Sequence, residues 1–357
     1  MAISGLGFGL LTCQHHPADT RTDADIFRDA VELAVEAERV GFDSVWTSEH
    51  HFFDDGYMSS QLPVLGAIAA RTSRILLGPC VVLLPLYEPI HLAEDVAAVD
   101  LLSNGRLVFG AGLGWRDEEL EAFGVSSSDR VPRLEASLGR LRDAWSGRPT
   151  RGSDAISGRV RVTPLPARQG GPPIWLAAMV QKSARRAGRL ADGFIATRVL
   201  PADLAVLVRA ALDGLDAAGR QPADFTVSVH HPVFTWTGRD AWQRVAPYLH
   251  YVDWKYDDMT VAHARRIGSA APPTIDQVRD TYLRGSCLWG SPERVAEGIV
   301  AYAEAAGSDV HFIARSYFPG MDPGVQRETM RLFAAEVMPL LRPRAAIADW
   351  MTGREHA

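Results

Sequence analysis

Short apolar runs alternate with longer amphipathic stretches from one end of the chain to the other. The runs at 5–11, 44–48, 75–84, 107–112, 174–177, 193–197, 225–234 and 310–314 have the length and residue content of buried strands. Between the first two, residues 24–40 place Ile26, Ala30, Leu33, Ala34 and Ala37 at helical spacing, and 92–102 reads as a second helix. Eight strand-helix units in succession predict an α/β fold, a single TIM-type (β/α)8 barrel rather than an open doubly wound sheet. The barrel domain is expected over 1–344, followed by a frayed tail at 345–357. Two stretches break the repeat: 150–173, rich in Gly, Pro and Arg, and 237–273, rich in Trp, Tyr, Asp and His. Both are expected as insertions at the barrel mouth, with a packing appendage as the alternative. In the second, Trp242, Tyr248, Tyr251, Trp254 and Tyr256 suggest either a lid over an aromatic substrate or a packed helix pair.

The length of 357 residues suits one barrel with insertions and does not require a second domain. A formal charge of -6, with no block of Lys or Arg, argues against nucleic acid or an anionic lipid surface as partner and for a small organic molecule. The longest apolar run, 75–86, is interrupted by Pro79 and Pro85 and falls short of the roughly 18 residues that read as a membrane span. No basic leader precedes an apolar stretch at the N-terminus, so no membrane association and a cytoplasmic location are expected. Cys13, Cys80 and Cys287 are odd in number and far apart, which fits reduced thiols. The pairs His15-His16, His50-His51 and His230-His231 lack metal-ligand spacing, so no metal is expected.

Candidate chemistry collects where strands end. The 44–48 run leads into Glu49-His50-His51-Phe52, and the carboxyl ends of barrel strands form an active-site floor. A histidine there can handle protons, and an adjacent carboxylate can orient it. Gly110, Gly112 and Gly114 permit close backbone approach to a ligand. Ala178-Met179-Val180-Gln181-Lys182-Ser183 follows the fifth strand and opens a helix, whose first amides form an anion site. His230, on the seventh strand, either faces substrate or packs in the core.

The block 41–114 resembles the bacterial luciferase α-subunit and its flavin-dependent monooxygenase relatives. Three runs carry the resemblance in family order: Glu49-His50-His51-Phe52; Leu84-Pro85, Pro89 and Ala93-Glu94-Asp95-Val96; and Ser103-Asn104-Gly105-Arg106-Leu107 with Phe109-Gly110. Residues 289–296 and 332–339 look like the family's last two helices. The resemblance implies that His50 lies at the reactive edge of a flavin and that Glu49 lies near the isoalloxazine. It implies a cis peptide between Cys80 and Val81 against the ring, and a buried carboxylate at Glu94. It also implies a flavin-phosphate site at the helix opening after Ala178, with Lys182 and Ser183 as added donors and Arg133 reaching the same phosphate. Gly112 stands where luciferase has a reactive cysteine, which argues against light emission and leaves room beside the flavin. Ser228 stands where a sulfonate-cleaving branch has arginine two residues before the histidine, which argues against a sulfonate.

The function so implied is a monooxygenase that uses reduced FMN and O2, through an oxygen adduct at flavin C4a, to hydroxylate or otherwise oxidise a small organic substrate. A separate NAD(P)H:flavin reductase would supply the FMNH2, and a homodimer is expected. The alternative keeps the fold and changes the cofactor to F420 for hydride transfer, because 110–115 and 118–124 also resemble that branch. A third reading is a flavin-binding accessory subunit without turnover, against which the intact His50 argues.

Overall fold

The computed structural model describes residues 2–149, 161–265 and 272–341, with the backbone alone over 259–265. Its strands are β1 (Ile3–Leu11), β2 (Ser44–Thr47), β3 (Leu76–Pro79), β4 (Val82–Leu83), β5 (Phe109–Gly112), β6 (Ile174–Ala178), β7 (Gly193–Thr197), β8 (Thr226–Thr235), β9 (Leu288–Gly290) and β10 (Val310–Arg315). Its helices are α1 (Asp23–Val40), α2 (Gln61–Arg71), α3 (Pro89–Ser103), α4 (Asp117–Ala122), α5 (Arg130–Trp145), α6 (Gln181–Leu190), α7 (Pro201–Ala217), α8 (Ala241–Arg265), α9 (Gln277–Gly285), α10 (Pro292–Ala306) and α11 (Pro323–Leu332).

The strands pair in the order β3-β2-β1-β10-β8-β7-β6-β5-β4, all in parallel. The expected third strand, 75–84, is broken into β3 and β4 around a cis Cys80–Val81 peptide. Its first half pairs with β2, its second half with β5, and a bridge from Leu77 to Leu107 brings β3 beside the start of β5. The result is the (β/α)8 barrel that the alternating sequence predicts. β9 stands outside the ring and extends the far end of β8.

Two indoles lie at the heart of the barrel interior, packed with Leu10, Leu76, Val108, Ile195 and Ile313. Trp46 and Trp175 stack with ring centroids 5.3 Å apart, and His311 meets both edge-on. Glycine makes this possible: a Cβ at Gly7 would lie 2.8 Å from Trp46 Nε1, and one at Gly78 would lie 2.7 Å from Trp46 Cζ3. At Gly9 a Cβ would come within 2.9 Å of the Trp46 carbonyl oxygen. The indole N–H of Trp46 donates to Ser44 Oγ at 2.8 Å, and that hydroxyl lies 2.7 Å from His311 Nε2, so the Trp46 N–H is satisfied inside the barrel.

Local signals explain the outer shell. α1 begins at a capping box between Thr22 and Asp25, buries Ile26, Ala30, Leu33, Ala34 and Ala37 as the spacing predicts, and stops at Gly41, whose φ is 97°. α3 starts on Pro89 with the Glu88 carboxylate accepting from the Ile90 and His91 amides. It turns Leu92, Ala93, Val96 and Ala97 inward. Glu94 therefore falls on the solvent face, and the buried carboxylate expected there is not found.

The Ser-Asn-Gly-Arg run lies at the opposite end of the barrel from the mouth and acts as a staple. Arg106 donates through Nε to the Ser103 carbonyl, through Nη1 to Thr72 Oγ1 and the Ile75 carbonyl, and through Nη2 to the Ala69 and Thr72 carbonyls. Its guanidinium thus closes the end of α2 against the entry to β3 and the end of α3.

The two insertions part company. The described part of the first, 161–173, joins α5 to β6 and therefore enters the barrel from the N-terminal end of its strands, not at the mouth as expected. There the Arg168 amide donates to Asp100 Oδ2 and its guanidinium to the Gly105 carbonyl. The rest of that segment and the tail at 345–357 lie outside the described residues. The second insertion does follow the carboxyl end of a strand, β8; α8 occupies it to Arg265, and α9 and β9 come after it in the chain.

Candidate active site

Just beyond the carboxyl end of β2 stands His50, buried at 7% exposure. The chain turns sharply after β2: Phe52 has a φ of 59°, and the His50 amide donates to the Met58 carbonyl. His50 Nδ1 lies 2.9 Å from Glu119 Oε1, and the same oxygen accepts the His51 amide at 2.7 Å. Arg116 donates to the His51 carbonyl at 2.7 Å, stands 3.7 Å from Glu119, and covers the Phe53 ring at 4.7 Å. The imidazole is ringed by Phe53, Tyr57, Trp115 and Tyr256, with centroids 5.0 to 5.9 Å away. Tyr57 and Tyr256 share a hydrogen bond of 2.9 Å between their hydroxyls, and Tyr57 also donates to Ser48 Oγ.

Glu49 is turned into the protein. Its carboxylate meets His51 Nε2 at 3.1 Å and accepts from Gln61 Nε2 at 2.9 Å and from the Tyr87 hydroxyl at 3.0 Å. Gln61 also reaches the Val81 carbonyl at 3.2 Å, so Glu49 acts on the cis peptide through Gln61. The cis geometry of Cys80–Val81 is the one the resemblance implied, and burial pushes the Cys80 thiol up to about 12, keeping it protonated.

Gly112 packs against this peptide. A Cβ there would lie 2.6 Å from Val81 Cγ2 and 3.4 Å from Ala177 Cβ, so the space expected beside a flavin is already occupied by Val81. On β6, Ala178 is buried, while Met179 and Val180 are exposed at 65% and 60% where α6 opens. The Ser183 hydroxyl donates to the Val180 carbonyl and accepts its amide, closing that first turn, and Lys182 is exposed. Arg133, on the first turn of α5, donates through Nε to the Pro85 carbonyl at 3.0 Å.

His230 and His231 differ. His231 Nδ1 is 3.0 Å from the Tyr302 hydroxyl, and burial, with Arg198 nearby, lowers its pKa to about 4. His230 lies inside the barrel with Nδ1 unpartnered; burial and then Arg315 hold its pKa well below the usual value. Among the described residues, other buried polar atoms without a hydrogen-bond partner include Thr12 Oγ1 after β1, Glu119 Oε2, Arg116 Nε and Ser228 Oγ.

The aromatic insertion divides its labour. Trp242 packs on Trp289 and donates to Asp280, in a small core with Leu249, Leu283 and Phe318. Tyr256 alone of the five aromatics reaches the His50 ring. Sequence reasoning missed Glu119, one of three successive acids in which only the third is buried. It also missed Arg315, which lies one residue past the expected end of the last strand.

A profile described as luciferase-like monooxygenase matches residues 6–309. The F420-dependent glucose-6-phosphate dehydrogenase of Amycolatopsis mediterranei (strain U-32) is 29% identical over 337 residues, 88% of this chain and 95% of that one. The oxygenase component of the flavin-dependent trigonelline monooxygenase of Acinetobacter baylyi (strain ATCC 33305 / BD413 / ADP1) is 28% identical over 174 residues, 48% of each chain. The crystal structure of monooxygenase RslO1 from Streptomyces bottropensis superposes with a TM-score of 0.78 at 24% identity, covering 94% of this chain and 99% of that one.

Proposed function

The chain belongs to the luciferase-like monooxygenase family, and from that premise we propose that it is a monooxygenase using reduced FMN and O2 to oxidise a small organic substrate. The observation that carries this reading is His50, held through Nδ1 by the buried Glu119 inside a cage of four aromatic rings. Such a cage excludes water from an oxygen-activating centre, and a fixed imidazole moves protons at a defined point. Reduced FMN supplies the electrons and the site of oxygen activation.

The residues present fit a polar heterocycle. Orphaned atoms at Thr12, Glu119 and His230 offer hydrogen-bonding partners that the protein itself leaves unused. Cys80, Val81 and Gly112 would support the ring, and Glu49 would act behind them through Gln61. Ala178, Met179, Val180, Lys182 and Ser183 at the opening of α6, with Arg133, would hold the phosphate. His230, neutral at ordinary pH, would face the substrate. A separate flavin reductase and a cytoplasmic homodimer complete the reading; the described helices include none long and apolar enough to cross a membrane.

A second reading, F420-dependent hydride transfer, is favoured by one observation: a relative of that name aligns over 88% of the chain. Anaerobic titration with reduced FMN and with reduced F420, followed by oxygen uptake with each, separates the two. Tight binding of reduced FMN and oxygen uptake dependent on His50 are expected. Binding of F420 alone, without oxygen uptake, would retire the monooxygenase.

A further inference from the structure

One cation at the mouth stands without a counter-charge. Arg315 ends β10 at 5% exposure, and among the described residues its guanidinium makes no hydrogen bond and no ion pair. The nearest recorded contact is the Tyr256 ring, with the guanidinium carbon 5.9 Å from its centroid. The neighbouring cations have counter-charges: Arg198 and Arg279 hold the two oxygens of Asp253 at 2.5 and 2.6 Å, and Arg279 also meets Asp257 at 3.0 Å. Direction follows from register. Ile313 belongs to the barrel-interior cluster with Trp46, so Arg315, two residues on, faces the same side. β8 aligns His230 with Ile313 and Pro232 with Arg315, which sets His230 one layer beneath the guanidinium. His230 likewise makes no side-chain hydrogen bond among the described residues. Above the two, Arg198, Pro232, Leu249, Val252, Asp253 and Phe318 line a pocket with Arg315, the Asp253 carboxylate being held by Arg198 and Arg279.

A guanidinium with so little exposure and no protein partner turns its donors to the pocket it lines, and a planar fork of donors matches an oxyanion that arrives with a ligand. We propose that Arg315 receives an oxyanion of the substrate, so that the enzyme acts on an anionic organic molecule whose apolar body lies against Leu249, Val252 and Phe318. His230 supplies a neutral hydrogen-bonding partner beneath the same group. The sequence offers no arginine beside His230 on its own strand; the fold brings one from the adjacent strand instead. The proposal names the substrate class for the active site described above. It rests on the reaction taking place at this mouth and not on which flavin is used.

Calorimetric titration of the full-length protein with benzoate, phenylphosphate and benzenesulfonate, and with neutral benzamide, tests it, first without and then with saturating oxidised FMN. At least one anion should bind, more weakly as salt is added, and benzamide at least tenfold more weakly. Arg315→Gln should lower the anion affinity at least tenfold, while Arg185→Gln, whose surface arginine pairs with Asp213, should not. Should the glutamine variant fail to fold, Arg315→Lys replaces it, with a loss of at least threefold expected. Absence of anion binding, equal binding of benzamide, or an unchanged affinity in the Arg315 variant would overturn the proposal. Displacement of the anion by FMN would assign the pocket to the cofactor and also overturn it. Anion binding without FMN binding would leave the proposal standing and remove the FMN reading alone.

Discussion

His50 Nδ1 and Glu119 Oε1 stand 2.9 Å apart, joining the loop after β2 to the short helix α4 at a point where both side chains are buried. Glu119→Gln keeps an oxygen for the imidazole and for the His51 amide but removes the charge that stabilises an imidazolium. Turnover is expected to fall by up to about 10²- to 10⁴-fold, the scale of a positioned proton-transfer group. The melting temperature should change little. Turnover per folded molecule, measured beside the melting temperature, is the check, because a merely structural Glu119 would lower stability and leave turnover per folded molecule in place.

Acid should weaken the fold in a particular window. His231 and His311 are buried and fall from 6.5 to about 4, so between these values the unfolded chain binds protons that the folded chain refuses. Stability is fully present above about pH 6.5, falls as pH drops toward 4, and levels off below; each histidine contributes on the order of 3 kcal/mol. Burial raises Asp55 and Asp100, which act in the opposite sense as they take up protons. Urea midpoints from pH 8 to 4 should decline; a flat series would rule out the histidine term.

Gly112→Ala places a methyl group 2.6 Å from Val81 Cγ2. Overpacking of this kind costs about 1–3 kcal/mol. The variant should melt earlier and bind flavin more weakly, because the methyl it displaces belongs to the Val81 side chain at the mouth. Unchanged melting and binding would mean that Val81 yields freely.

Arg106→Lys removes a fork that serves four carbonyls and a hydroxyl. A loss of about 2–3 kcal/mol is expected from the unpaired buried groups, with turnover per folded molecule unchanged. Denaturant titration and active-site-normalised kinetics separate the two effects.

The barrel was legible because its strands are buried on both faces and read as unbroken apolar runs, and because the helix after β1 buries Ile26, Ala30, Leu33, Ala34 and Ala37 at the spacing the sequence shows. Glu94 misled because its place in a recognisable run says nothing of which helix face it takes. The 150–173 segment misled because composition marks a loop but not the end of the barrel where it lies. Glu119 and Arg315 were hidden for a different reason. Their importance lies in long-range contacts, with His50 and with the mouth, that no local pattern encodes. His230 could be placed on its strand from sequence, but its unpartnered nitrogen is visible only when neighbouring strands are set in register.

The indole plug at the centre of the barrel also constrains how the sequence can drift. A methyl group at Gly7, Gly9 or Gly78 collides with Trp46, while a smaller residue at 46 opens a hollow that three glycines cannot fill. Neither side can be exchanged first without loss, so the four positions form one unit of inheritance. A descendant with a differently filled lumen would have to cross a valley of unstable intermediates to reach it.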